Sequence, residues 1–307
     1  MSPKFSVVIA TYERLDLLKA TLESVWAQSF HSYEVIVVDD GSTDGTVDYL
    51  LGLGDRVTII VQRNAGPGAA RNAGAEVATG EYVAFLDSDD LWFPWTLSTY
   101  FAAINGTRPP PSFLIGERFI FNDLQTVGAV FEDSLQRRRY SDYLAAAEEY
   151  FFYGASALVV RLDVFKASVG FTKANVNGED GDLCLKLGEA PGFVKVDAPV
   201  TFAYRAHESN LTHDIQKSWD GTWLQIQTER QGGYPGAGLR ARERRQILTR
   251  QSRPVSLACL ATGENKQAWQ LYRATLFWHL SLWRWRYLLG FVAIALKTTL
   301  RPLTTRE

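Results

Sequence analysis

Asp87 and Asp89 stand two residues apart where an apolar run, residues 82–86, comes to an end, and Asp90 follows at once. On extended backbone that spacing sends both side chains to one side. Two hard oxygen ligands on one side suit Mg²⁺ or Mn²⁺, and such ions usually bind together with the phosphates of a substrate. Taken alone, the segment reads equally well as a solvated turn, since Asp and Ser are ordinary turn residues.

Three other stretches carry polar, glycine or charged residues directly after apolar runs. They are Thr11-Tyr12-Glu13, Asp39-Asp40-Gly41-Ser42, and residues 63–72 with Gly66, Gly68 and Arg71. Tyr12 can stack on a base, and Asp40 can accept from a base N–H. Backbone amides of residues 66–70, at a helix N-terminus, can face a phosphate. Together with Asp87, Ser88 and Asp89 they suit a nucleoside diphosphate. Arg71 taken singly suits a surface ion pair just as well.

For these loops to converge, the runs before them must be strands of one sheet. Residues 5–10, 34–38, 57–61 and 82–86 read as buried strands, and 15–28, 46–53, 68–77 and 94–104 as helices. Alternating βαβ units imply a mostly parallel sheet with helices on both faces, whose carboxyl-end loops share one edge. Beyond residue 109 the pattern changes. Residues 113–121 and 127–131 read as a hairpin about Asn122-Asp123, residues 140–149 as a helix, and 155–160 as a strand. A helix starts at Glu179 with acids in its first turn, followed by short strands at 193–196 and 200–204. The expected organisation is a domain over 1–230, with a nucleotide-binding half (1–108) and an acceptor-binding half (109–230). A glycine-rich linker (231–238) and a basic helical extension (239–307) follow.

A chain of 307 residues with 46% hydrophobic and 21% charged residues is globular in composition. Its formal charge of −2 hides an asymmetry. Residues 239–307 hold 13 Lys/Arg against 3 Asp/Glu, a net of +10, while residues 1–238 hold 19 against 31, a net of −12. Such a split points to a basic module facing anionic material. The two cysteines, Cys184 and Cys259, make neither a disulfide framework nor a metal spacing, and a reducing, cytoplasmic setting is expected. The run at residues 5–10 is too short for a secretion-signal core.

The blocks 6–13, 35–44, 64–74 and 80–90, in this order and spacing, resemble glycosyltransferase family 2. The resemblance covers residues 4–210. It implies a GT-A fold, a nucleotide-sugar donor and an inverting transfer to a glycan or lipid-linked acceptor in polysaccharide or cell-surface glycan synthesis, with uridine as the base. The implied donor side comprises Thr11, Tyr12, Glu13, Asp40, Gly66, Arg71, Asp87 and Ser88. Asp87 and Asp89 fall on the family's DxD element, with Asp89 the direct ligand of Mn²⁺ or Mg²⁺. Glu179-Asp180 resembles the acidic motif near the acceptor, so Asp180 falls on the catalytic base and Glu179 beside it. His207 falls where a histidine approaches the metal or the pyrophosphate. Ala10 departs from the family, many members having proline there. Asp180 also reads as a first-turn acid favoured by the helix dipole, and His207 as a hydrogen-bonded structural histidine.

Two other classes compete with this reading. A sugar nucleotidyltransferase would normally carry a glycine-rich basic loop after its first strand, and Thr11-Tyr12-Glu13-Arg14 has no glycine. An inactive binding module would have lost the DxD or the Asp180 position, and both are intact.

In the extension, Leu271, Thr275, Trp278, Leu282, Trp285, Leu289, Val292 and Leu296 form one helical stripe. No charge-free stretch there approaches the length of a membrane span. Tryptophan and arginine beside an apolar face fit a helix lying in a membrane interface, and equally a face packed on the catalytic domain or on a second subunit. The expectation is a protein peripheral on the cytoplasmic face of the membrane, with an oligomer left open. A nucleic-acid role is not expected, because no reading motif accompanies the basic residues.

Overall fold

The computed structural model describes residues 2–150, 152, 154–206 and 214–299. His207 lies outside the described residues. In chain order the elements are β1 (Phe5–Thr11), α1 (Leu15–Trp26), β2 (Tyr33–Asp39), α2 (Thr46–Leu51), β3 (Thr58–Val61), α3 (Pro67–Val77), β4 (Tyr82–Asp87), β5 (Leu91–Trp92) and α4 (Thr96–Asn105). There follow β6 (Phe113–Ile115), β7 (Arg118–Phe121), α5 (Leu124–Val127), β8 (Gln136–Tyr140), β9 (Leu158–Arg161), α6 (Leu162–Ala167), α7 (Glu179–Lys186), β10 (Phe193–Ala198) and β11 (Phe202–Arg205). The last four are α8 (Ile215–Arg230), α9 (Ala241–Ala261), α10 (Asn265–Ser281) and α11 (Trp285–Thr299).

Two units divide the chain. The first comprises residues 1–146, 150–175 and 179–208. Its main sheet has eight strands in the order β3-β2-β1-β4-β9-β6-β10-β8. The pairs β1–β2, β1–β4, β2–β3 and β6–β10 are parallel, while β9 runs antiparallel to β4 and β6, and β8 to β10. A small second sheet has the order β5-β11-β7. The α/β class and the largely parallel first half agree with the sequence reading. β1 and β4 are continuous apolar runs because both faces of a parallel sheet are covered. The register sets Thr11 opposite Asp39 and Ala10 opposite Asp87, so three strands end level at one edge.

The second half departs from the sequence reading. Residues 113–121 are not one arm of a hairpin. They split at Gly116 into β6 in the large sheet and β7 in the small one, and residues 124–127 are the helix α5. Gly116 is the crossing point because a Cβ there would collide with Thr201 Oγ1 and Tyr100 Oη. The helix expected at 140–149 is replaced by the end of β8 and a short 3₁₀ turn at Leu144–Ala146. Cross-strand pairing fixes β8, where Arg138 meets Asp197 of β10 at 2.6 Å. Short-range periodicity cannot register such a partner.

The second unit comprises residues 147–149, 176–178 and 209–307. Cys259, Leu260, Ala268, Tyr287, Leu288, Phe291 and Ala295 form its core. Gly221 lets α8 meet residue 177, for a Cβ there would collide with the Asn177 carbonyl oxygen. Glu229 is buried and takes Arg244 at 2.6 Å and Arg245 at 3.4 Å. Arg244 also donates to the carbonyls of Pro235 and Ala237. The stripe expected along one continuous helix is broken at residues 282–284, where Trp283 adopts φ 55°. Leu271, Thr275 and Trp278 turn inward, whereas Leu289 and Leu296 remain exposed.

Candidate active site

All the site residues described next belong to the first unit. Arg71 is the residue on which the site is assembled. It lies on α3, which settles on the sheet because Gly74 has no Cβ, and one would collide with Val8 Cγ1. Asn72 locks the same helix to Phe171, donating to its carbonyl at 2.9 Å and accepting its N–H at 2.9 Å. So held, the buried guanidinium donates to Asp87 at 2.5 Å and to Glu179 at 2.8 Å, and lies 3.9 Å from Asp180. Burial opposes its charge, but Asp87, Glu179 and Asp180 outweigh that and raise its pKa. The surface ion pair contemplated from sequence is thus a buried cationic hub.

The acids at the end of β4 form the second group. Oxygens of Asp87, Asp89 and Asp90 lie within 4.8 Å of one another. Asp90, absent from the sequence-based ligand set, is buried and accepts Ser156 Oγ at 2.6 Å and the Arg205 N–H at 3.0 Å. Burial pushes its pKa well above the usual carboxylate range, and the neighbouring Asp87 and Asp89 push it further. Ser156 also accepts the Asp87 N–H at 3.1 Å, which orients both acids from one hydroxyl. Asp89 forms an ion pair with Arg14, and its carbonyl accepts Arg205 Nε at 2.9 Å. Five carboxylates (Asp87, Asp89, Asp90, Glu179, Asp180) thus crowd round the guanidiniums of Arg14 and Arg71. The crowded hard oxygens of Asp87, Asp89 and Asp90 could hold a divalent cation.

The loops after β1, β2 and β3 meet the same edge. Asp40 is buried and its oxygens accept Gln62 Nε2 at 2.7 Å, Ala65 N–H at 2.9 Å and Gly66 N–H at 2.8 Å. It holds the loop before α3 in place. Gly66 stands at φ 89°, a region open to glycine, and Pro67 begins α3. Glu13 at φ 51° accepts both Thr43 N–H at 2.8 Å and Thr43 Oγ1 at 2.9 Å, and its own N–H donates to Ser42 Oγ at 2.9 Å. Thr11 and Ser88 are buried, whereas Tyr12 is 47% exposed and presents its ring to solvent.

Glu179 and Asp180 open α7. Glu179 is buried against Arg71, while one oxygen of Asp180 has no hydrogen bond among the described residues and a fifth of its side chain is exposed (20%). Burial raises the Asp180 pKa well above its ordinary value, Glu179 and Asp87 add to this, and Arg71 opposes it. Sequence reasoning missed Asp90, Ser156, Arg14 and Arg205 as parts of the site. Ser156 and Arg205 had no local signal, since each meets the acids across more than sixty residues of chain.

A GT-A-like α/β domain with an acid cluster at the carboxyl edge of its strands is the class that fold and site define. Residues 6–145 match the family described as Glycosyl transferase family 2, and this region of the chain is a domain of that family. Among curated relatives, the Escherichia coli protein named UDP-Glc:alpha-D-GlcNAc-diphosphoundecaprenol beta-1,3-glucosyltransferase WfaP is 41% identical over 95 residues, 30% of this chain and 38% of its own. Succinoglycan biosynthesis protein ExoW of Rhizobium meliloti is 44% identical over 98 residues, 30% of this chain and 31% of its own. The chain thus matches only about a third of the length of these relatives. Staphylococcus aureus TarS, solved with UDP-GlcNAc, superposes with a TM-score of 0.63 at 22% identity, covering 81% of this chain and 71% of that one. The mannosyltransferase PcManGT of Pyrobaculum calidifontis, solved with GDP-Man and Mn²⁺, gives 0.57 at 18% identity, covering 98% and 88%.

Proposed function

We infer that this chain is a metal-dependent inverting glycosyltransferase. Its donor is a nucleoside diphosphate sugar with uridine as the base, and its acceptor a hydroxyl of a glycan or lipid-linked glycan in polysaccharide synthesis at the cytoplasmic face of a membrane. One observation carries this reading: the Asp87–Asp89–Asp90 cluster and the Glu179–Asp180 pair are joined through one buried arginine, Arg71. The family match, the relatives named for glucosyl transfer and succinoglycan synthesis, and the neighbours solved with UDP-GlcNAc and with GDP-Man and Mn²⁺ support it.

Each residue then has a task. Tyr12 stacks on the base, and the amides after Gly66 face the diphosphate. A Mn²⁺ or Mg²⁺ held by Asp89 with Asp87 and Asp90 would neutralise the diphosphate leaving group. Asp180 takes the proton of the acceptor hydroxyl. That oxygen bonds to the anomeric carbon from the face opposite the nucleotide, and the carbon–phosphate oxygen bond breaks with its electron pair leaving on the diphosphate. Asp180 suits the base better than Glu179, since Arg71 donates to Glu179 at 2.8 Å but stands 3.9 Å from Asp180 Oδ1, which accepts no hydrogen bond among the described residues. A raised pKa strengthens a general base near neutral pH. The test is nucleotide release from a panel of nucleotide sugars, with Mn²⁺ or Mg²⁺ and after chelation. Release should require the ion, and Asp89→Asn should weaken metal-dependent UDP binding about tenfold or more. Equal UDP affinity with and without metal in both proteins would overturn the metal assignment.

A further inference from the structure

We propose that the outward side of the α10–α11 hairpin docks on an anionic lipid surface. α11 has two apolar sides. Tyr287, Leu288, Phe291 and Ala295 are spent on the core of the second unit. On the other side Trp285 (47% exposed), Leu289 (71%) and Leu296 (57%) face solvent, at spacings that place them in one stripe. A surface helix normally turns polar residues outward, so a second apolar stripe marks an interaction surface. At the tip of the hairpin Trp283 is 78% exposed at φ 55°. The tip is held there by the N–H groups of Leu282, Trp283 and Arg284, which donate to the carbonyls of Trp278, Leu280 and His279 respectively.

The charges choose the occupant. Residues 265–299 contain no Asp or Glu; Lys266, Arg273, Arg286 and Lys297 are exposed, while the Arg284 guanidinium turns inward to Thr249 and the Gln246 carbonyl of α9. Arg286 and Lys297 are exposed along the edge of the stripe itself. Such a rim repels the same rim on a second copy, where symmetry would oppose like charges, but complements the anionic leaflet of a membrane. Trp283 at the tip and the exposed Arg286 suit the depth of the headgroups. No described helix is long and apolar enough to cross a bilayer, so the hairpin lies in the interface. This does not depend on the transferase reading.

The experiment is co-sedimentation of the full chain with vesicles of phosphatidylcholine alone and of phosphatidylcholine and phosphatidylglycerol in equal parts. The full chain should pellet with the anionic vesicles and less with the neutral ones. The double variant Leu289→Glu with Leu296→Glu should keep the thermal transition, since both sites are exposed, and lose about tenfold or more in partitioning. Arg286→Glu with Lys297→Glu should abolish the preference for anionic lipid. If the double leucine variant does not fold, Trp283→Ser serves as the second probe, with the same expected direction. No pelleting on either vesicle, or unchanged pelleting of the folded variants, overturns the proposal. So does light scattering that shows a dimer dissociated by the leucine variant without vesicle binding, or binding that begins only after removal of residues 300–307.

Discussion

Arg71 and Asp180 show how the same side chain changes meaning once its neighbours are known. Arg71 could pair with any surface acid as far as local sequence tells, yet its partner Glu179 lies 108 positions away. Removing a well-placed base costs about 10²–10⁴ in rate. Asp180→Asn should therefore lose transfer by that factor in single-turnover assays while UDP affinity measured by calorimetry stays nearly unchanged. Near-normal turnover would reduce Asp180 to a first-turn acid of α7. The wild type carries a linked signature. Burial first, then Glu179 and Asp87, hold the Asp180 proton above the usual carboxylate range. The base is active only when deprotonated, so kcat/KM should fall with acid along a limb centred above that range. A limb at ordinary aspartate pKa would contradict this.

At the scale of elements, the decisive contact is between α3 and the sheet. Gly74 faces Val8 and Val38, and an added Cβ would collide with the first and lie 3.2 Å from the second. Gly74→Ala forces the helix outward and should cost about 1–3 kcal/mol by denaturant titration, the range for overpacking a filled core. Since α3 carries Arg71, activity should fall further than stability alone explains. An unchanged midpoint would show that Val8 yields instead. The strand-and-helix alternation of the first hundred residues was legible because buried parallel strands are continuous apolar runs. The hairpin expected at 113–131 is absent, because β7 pairs with β11, some eighty residues later, and not with its neighbour in sequence.

For the whole molecule, acid stability has an identifiable contributor. His279 is fully buried, neither ring nitrogen has a hydrogen bond among the described residues, and Tyr287 lies 4.3 Å away between ring centres. Burial, with Arg284 and Arg253 nearby, lowers its pKa from 6.5 to about 3. Between those values the unfolded chain binds a proton that the native chain refuses. Stability is complete above pH 6.5 and is lost as pH falls towards 3, with a slope of up to about 1.4 kcal/mol per pH unit. His279→Phe should flatten this part of the profile in denaturant titrations across that window, and an unaltered slope would assign the loss to other groups.

The sequence by itself determined the class of fold, the donor-side loops and the candidate acids at residues 87, 89 and 180. The fold class, the loops and the acids at 87 and 89 follow from local facts: runs of buried strand residues, glycines at turns, and the alternation of side chains along a strand; Asp180 came from the resemblance of its motif to the family's. Tertiary structure alone decided that Asp90 joins the acid cluster, that Ser156 and Arg205 fix it, and that Trp278 faces inward while Leu289 faces out. Each of those outcomes depends on which distant segment arrives as a neighbour. Burial, pairing and the shift of a carboxylate's proton affinity belong to that neighbourhood rather than to the residue.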